Sequence, residues 1–139
     1  MQDEDIKEVA SLEKISFDSF WSKGTFQKLL TRHDIEAWVA VKDAELVGYA
    51  VLSYFGNEAE LTNIVVTEEN RKLGIGSRLL SKIIDVAVGL RIEKIFLEVR
   101  SSNEQAGILY ERFGFHQMGV RKGYYKNPKE DAQILCKIL

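Results

Sequence analysis

Apolar residues near the start of the chain recur at helical intervals. Ile6, Val9, Ala10 and Leu12 to Ile15 return every three to four positions, with Asp3 or Asp5 placed to cap the first turn. Ser22 is a natural cap for a second helix whose buried stripe is Phe26, Leu29 and Leu30, and His33-Asp34 ends it. From Glu36 the period changes. Residues 37–41 and 46–52, joined by the turn 42–45, read as an antiparallel hairpin of buried strands, and Gly56-Asn57 turns the chain into a third strand over 60–66. A polar stretch leads to Gly74-Ile75-Gly76. Beyond it, Leu79, Leu80, Ile83, Ile84, Ala87 and Leu90 give a helix with a broad apolar face, suited to packing on a sheet. Residues 95–100 read as a short strand. A further helix, capped by Ser102 or Asn103, turns Ala106, Leu109, Tyr110 and Phe113 inward and stops at Gly114. The last two strands are expected over 115–120 and 132–138, joined by a loop over 122–129.

This order of elements implies an α/β (α+β) domain with a mixed sheet and helices on both faces. The whole chain, 1–139, is expected to form one domain, with no linker and no internal repeat. Hydrophobic residues make up 45% and charged residues 29% of it, which excludes a disordered or low-complexity protein. No apolar run is long enough to span a bilayer, and the acidic start Met1-Gln2-Asp3-Glu4-Asp5 is unlike the basic start of a signal peptide, so a cytoplasmic protein without membrane contact is expected. Cys136 is the single cysteine; without a CxxC pair or a His-rich cluster, neither a disulfide framework nor a metal site is expected. It alternates with Ile134 and Ile138 and reads as a small core residue. A net charge of -2 gives no broad attraction to nucleic acid. Whatever chemistry the chain performs must be local.

The segment Arg71-Lys72-Leu73-Gly74-Ile75-Gly76-Ser77 precedes the central helix, and its glycines let backbone N–H groups approach an anion at the positive end of that helix. It matches neither familiar nucleotide motif. The third glycine of GxGxxG would fall at Leu79, and no GxxxxGK[ST] runs through Gly74 or Gly76. Two glycines before a helix are also ordinary turn chemistry, so the local spacing leaves an anion cradle and a plain turn both open.

The order of three passages decides further. Leu61-Thr62-Asn63-Ile64-Val65-Val66, then Arg71-x-x-Gly74-x-Gly76, then Asn103 with Leu109-Tyr110-Glu111-Arg112-Phe113-Gly114-Phe115 resembles the GCN5-related N-acetyltransferase family over nearly the whole chain. The resemblance implies that family's fold, a mostly antiparallel sheet of six to seven strands. It implies acetyl-coenzyme A as cosubstrate, with no metal: its pyrophosphate at Arg71 to Ser77, its pantetheine arm along Ile64, Val65 and Val66, and its thioester end near Asn103 and Tyr110. Two positions depart from the family pattern. Leu73 stands where arginine is frequent, and the chain begins almost at the first helix, where the family usually has a strand.

Within the family, the passage from Phe96 to Asn103 followed by Tyr124-Tyr125 and Glu130-Asp131-Ala132 is similar to the ribosomal-protein alanine N-acetyltransferases and their archaeal and eukaryotic N-terminal counterparts. That implies transfer of acetyl directly to a protein N-terminal amine, with the N-terminus of a ribosomal protein as partner and a monomer or weak dimer as the working form. Lysine or small-molecule amines, and a non-catalytic acetyl-coenzyme A sensor, are the alternatives. A sensor needs neither a base nor an acid. An N-terminal amine with a pKa near ~8 asks less of a base than a lysine near ~10.4. The resemblance places the base at Glu98 and the proton donor to the leaving thiolate at Tyr110. The same residues also admit plainer roles: Glu98 as an outward strand residue, Tyr110 as a core aromatic, Asn103 as a helix cap. An oxyanion donor is expected from a backbone N–H around Val66, at a bulge ending the third strand. Tyr124 and Tyr125 are expected in the loop as walls of the acceptor channel, with Asp131 beside them to attract the acceptor segment; Phe17 and Trp21 read as core or as the opposite wall.

Overall fold

In a computed structural model, which describes residues 1–17 and 19–139, a single turn of 3-10 helix over Asp3–Asp5 leads directly into helix α1, Ile6–Ser16, followed by α2, Lys23–Leu29. Asp5 serves the start of the chain by accepting the Gln2 N–H at 2.8 Å. Ser22 caps α2 by accepting the Thr25 N–H. Strands β1 (Ile35–Lys42), β2 (Glu45–Phe55) and β3 (Glu58–Val66) form a meander. The β1–β2 turn is the tight two-residue kind that needs positive φ at both centres, here Asp43 at 52° and Ala44 at 66°. Helix α3 (Ile75–Gly89), strand β4 (Lys94–Arg100), helix α4 (Glu104–Arg112) and strands β5 (His116–Tyr125) and β6 (Glu130–Ile138) complete the order. The six strands lie β1-β2-β3-β4-β6-β5, antiparallel except for β3 and β4.

Two cores cover the two faces. Beneath one face, α3 and α4 pack Leu80, Ile83 and Tyr110 against Leu52, Ile95 and Leu97. On the other, α1 and α2 pack Ile6, Val9 and Phe26 against Tyr49, Val51 and Val65. The backbones of β2 and β3 come close enough that a Cβ on Gly48 would meet the Val65 carbonyl at 2.7 Å, so this position admits only glycine without backbone movement.

The periodicity of α1 misjudges its last turn. Ile15 is 84% exposed, and Glu13 is the buried member of that turn at 2% exposure. Its carboxylate collects three donors: the Trp21 N–H on Oε2 at 2.8 Å, and on Oε1 the Asn63 amide at 2.8 Å and the Tyr49 hydroxyl. One buried acidic group thereby ties the entry of α2 to β2 and β3.

Asn63 reaches Glu13 because β3 changes phase. The register against β2 shifts between Val51 and Leu52, where Thr62 is the extra residue, and its hydroxyl fills the gap by donating to the Val51 carbonyl at 3.1 Å. Before this bulge Ala59 and Leu61 face α3 and α4. After it, Asn63 and Val65 face α1, and Ile64 and Val66 pack toward α3. The bulge expected at Val66 therefore lies four residues earlier, because a polar β-branched side chain able to satisfy the displaced carbonyl stands at position 62.

Candidate active site

The site begins with a split in the sheet. β3 and β4 pair only through Glu58–Lys94, Ala59–Ile95 and Glu60–Phe96, so the rest of the two strands diverges into a wedge. The Thr67 N–H donates to the Val47 carbonyl at 2.8 Å. Alternation along an antiparallel pair then turns the Val65 N–H toward β2 and leaves those of Ile64 and Val66 facing the wedge. Donors around Val66 do point into open space, by ladder alternation rather than by a bulge at that residue.

At the head of the wedge stands the N-terminus of α3. A 3-10 turn over Glu68–Asn70 leads to Arg71, whose side-chain Nε donates to the Val66 carbonyl at 3.2 Å. Lys72 and Gly74 both take positive φ, 65° and 81°, and no side chain caps the helix. The first N–H groups of a 15-residue helix are thus left for an outside acceptor, and nothing lies within 4 Å of where a Cβ on Gly74 would be. A Cβ on Gly76 would make only ordinary contact, 3.6 Å to Leu109. Arg71, Lys72, Leu73 and Arg78 are exposed around this turn, and Ile75 and Ser77 are half-buried. A phosphate group fits such a cradle.

Glu98 and Tyr110 lie on opposite faces of the sheet beside the wedge. Ile95, Leu97 and Val99 belong to the core under α3 and α4, so alternation sends Phe96, Glu98 and Arg100 to the other face. The Tyr110 ring, 6% exposed, packs edge-on against Phe115. Burial, and secondarily the neighbouring Tyr125, hold its phenol well above the ordinary tyrosine range. Burial also pushes Tyr125 up to about 12, with Glu98 and Tyr124 adding to the shift. Tyr125 thus feels Glu98 on one side and is felt by Tyr110 on the other, so it stands between the two groups. Tyr124 is raised too, first by its hydrogen bond to Glu98 and then by burial. All three phenols are protonated donors near neutral pH. Glu98 is further paired with Arg121, Nε to Oε1 at 3.0 Å.

Tyr124 and Tyr125 do not sit in a loop. They end β5, which runs five residues beyond its expected limit, and Tyr125 pairs with Glu130. The sequence disguises this because four residue steps of β5, from Arg121 to Tyr125, are spanned by two of β6, from Ala132 to Glu130. Gly123 absorbs the excess at φ 58°, and Asp131 secures it by accepting the Gly123 N–H at 2.8 Å and pairing with Lys122 at 3.2 Å. Those contacts, the backbone N–H first, hold the Asp131 carboxyl below its ordinary range. Asp131 thus shapes the hairpin that presents the tyrosines. Arg100 lies over the Tyr125 ring at 4.3 Å and binds Glu130 at 3.1 Å and the carbonyls of Lys126 and Pro128. Glu130 in turn accepts the Ser102 N–H and hydroxyl.

Asn103, not Ser102, caps α4, its Oδ1 accepting the Ala106 N–H at 3.2 Å. Phe17 is partly exposed, and Trp21 packs edge-on against Phe26. Cys136 is buried, which raises its thiol pKa, in keeping with a core role. Among the described residues no group of three or more His, Cys, Asp or Glu is placed to hold a metal ion, and no helix is long and apolar enough to cross a membrane. Reasoning from sequence overlooked Arg121 and Glu13; a charged residue in an apolar helical stripe was the available signal for Glu13, and none marked Arg121.

A split between parallel neighbours, an anion-ready helix start at its head, and a carboxylate and a buried phenol on either side form an arrangement that suits acyl transfer. Residues 6–115 match the model of the Acetyltransferase (GNAT) family, and the chain belongs to that family of acetyl-coenzyme A-using N-acetyltransferases. A Bacillus subtilis (strain 168) protein with the provisional name [ribosomal protein bS18]-alanine N-acetyltransferase is 34% identical over 136 residues, 97% of this chain and 90% of that protein. The crystal structure of the ribosomal-protein alanine N-acetyltransferase of Escherichia coli superposes with a TM-score of 0.90 at 27% identity, covering 99% of this chain and 90% of that one. A GNAT acetyltransferase of Elizabethkingia anophelis, solved with acetyl-coenzyme A bound, superposes at 0.77 with 25% identity over 93% of this chain and 89% of its own. The sheet has six strands, the lower of the two numbers the family resemblance implied.

Proposed function

We propose that this enzyme acetylates the N-terminal α-amine of a protein, with the N-terminal alanine of a ribosomal protein as acceptor. The observation that carries the reading is the placement of Glu98 and the Tyr110 phenol on the two sides of the wedge, joined electrostatically through Tyr125. The names borne by the Bacillus subtilis and Escherichia coli proteins support the acceptor.

Acetyl-coenzyme A supplies an acetyl group activated as a thioester. The α3 N-terminus from Arg71 to Ser77 holds its pyrophosphate, through N–H groups left uncapped and through the flanking Arg71 and Lys72. The Ile64 and Val66 backbone groups, with Val65 between them, bind the extended arm as a strand would, and Asn103 orients it from the start of α4. The Val66 N–H donates to negative charge developing on the acyl oxygen. Glu98 takes the proton of the acceptor ammonium, leaving a neutral amine to attack. As the C–N bond forms and the C–S bond breaks, Tyr110 gives its proton to the departing sulfur and is reprotonated by the second proton that the nitrogen sheds on becoming an amide; burial keeps the phenol protonated until then. Tyr124 and Tyr125 wall the acceptor entrance, held in place by Asp131. The working form is a monomer or weak dimer in the cytoplasm.

Glu98→Gln is expected to lower kcat by about 100-fold or more, the scale of a lost general base, while coenzyme affinity stays as in the parent enzyme. Tyr110→Phe should behave the same way. Unchanged turnover in either variant removes that residue from the mechanism.

A further inference from the structure

A groove of about 500 Å³ crosses the face of the sheet left open by α1 and α2, from Tyr54 and Phe55 on β2 to Glu98 on β4 and Arg121 on β5. Its floor includes Phe96 and Ile134. The pairings of Arg121 with Ala132 and of Glu98 with Ile134 show that the guanidinium reaches diagonally over β6 to meet the carboxylate, so the ion pair lies within the groove.

Arg100 and Arg121, both beside Glu98, are held very differently. Arg100 is anchored by Glu130 and by the carbonyls of Lys126 and Pro128. Arg121 has its Glu98 contact and a position 5.5 Å from the Tyr124 ring centre, and its side chain is 56% exposed against 19% for Glu98. An ion pair with one member so exposed is weak and readily exchanged. The site on Glu98 Oε1 suits a primary ammonium equally well: it carries the same charge as guanidinium and three donors in place of five.

We propose that Arg121 is a resident counter-ion for the acceptor, occupying on Glu98 the position that the substrate's ammonium takes, so that the acceptor binds by displacing the guanidinium. This rests on the reading of Glu98 as the base. Tyr124 completes the arrangement. Its ring lies beside the pair, 5.5 Å from the guanidinium, and offers the displaced cation a face to rest on. Arg121 is then a residue that sets acceptor affinity against other cations: neutral ligands gain nothing at Glu98, and only an ammonium recovers what the departing guanidinium gives up.

The test is steady-state kinetics at saturating acetyl-coenzyme A with a peptide carrying a free N-terminal alanine. Arg121→Gln is expected to lower the acceptor KM about two- to fivefold, the range available from an exposed ion pair, and Arg121→Lys, which keeps a cation there, to leave it near the parent value. An Arg121→Gln KM that is unchanged or raised overturns the proposal, a raised KM with lowered kcat being the mark of a residue that merely orients Glu98. Glu98→Gln, run alongside, separates the two failures. If it retains full turnover, the base assignment itself falls, and with it this inference. If it loses turnover while Arg121→Gln leaves KM unchanged or raises it, only the exchange is refuted.

Discussion

Replacing Glu13 by alanine tests the most consequential contact that the folded chain contains outside its site. The carboxylate serves the Trp21 N–H, the Asn63 amide and the Tyr49 hydroxyl, so its removal strands three donors at once. The Trp21 N–H is only part-buried and can turn to water, but Tyr49 is 0% exposed and Asn63 7%, so neither of these reaches water directly. Each stranded group costs about 1–3 kcal/mol, and the void left in the core adds to that, giving about 4 kcal/mol in all. A chain of this length loses about 0.3 kcal/mol of stability per degree near its midpoint, so Tm should fall by about 10–15 °C. Glu13→Gln is the informative comparison. Its remaining oxygen can serve Trp21, and its amide can donate to Asn63 Oδ1, a buried oxygen with no hydrogen-bond partner among the described residues, once the Asn63 amide turns over. That variant should lose about 1 kcal/mol and 3–4 °C. Thermal unfolding followed by circular dichroism measures both. An alanine variant within 3 °C of the parent, or a glutamine variant as damaged as the alanine one, would refute the reasoning.

Two further outcomes follow from the site. Gly76→Trp should fill the cradle and abolish acetyl-coenzyme A binding measured by calorimetry, whereas Gly76→Ala, whose Cβ meets Leu109 at an ordinary 3.6 Å, should bind; equal affinity in the two variants would remove the cradle from the account. The tyrosine hairpin should loosen in acid. Asp131 is held below its ordinary 3.8 by the Gly123 N–H and Lys122; burial pushes Glu130 up, but its bonds to Ser102 and Arg100 prevail and leave it below 4.5. Carboxyls lowered by folding stabilise the structure above those ordinary values, and the contribution disappears as pH falls through the lowered ones. The near-UV signal of the Tyr124–Tyr125 pair should therefore weaken below about pH 4, ahead of the far-UV signal, and a constant near-UV signal down to pH 3 would contradict this.

The sheet, its hairpins and the central helix were legible because period-two and period-3.6 patterns are local. Alternation groups Glu98 with Phe96 and Arg100 on one face of β4, and Gly74, which the sequence left open between a cradle and a plain turn, is the left-handed start of α3. What escaped depended on contacts distant in sequence. Glu13 stood out only as a charge within the apolar stripe of α1, and its partners, 36 and 50 residues away on two strands, could not be read from it. The bulge at Thr62 required knowing which hydroxyl could satisfy the Val51 carbonyl. Tyr124 and Tyr125 read as loop because Gly123 breaks the alternation of β5, and only the Asp131 carboxylate, supplied from β6, makes that break part of a paired hairpin. Arg121 gave no local sign of its reach across β6 to Glu98.

The central claim is the acceptor. Two peptides incubated with the enzyme and acetyl-coenzyme A, one with a free N-terminal alanine and one with a blocked N-terminus and an internal lysine, distinguish the possibilities by mass spectrometry. The account predicts a single acetyl group on the first peptide and none on the second. Acetylation of the lysine peptide alone, or of neither, would contradict it.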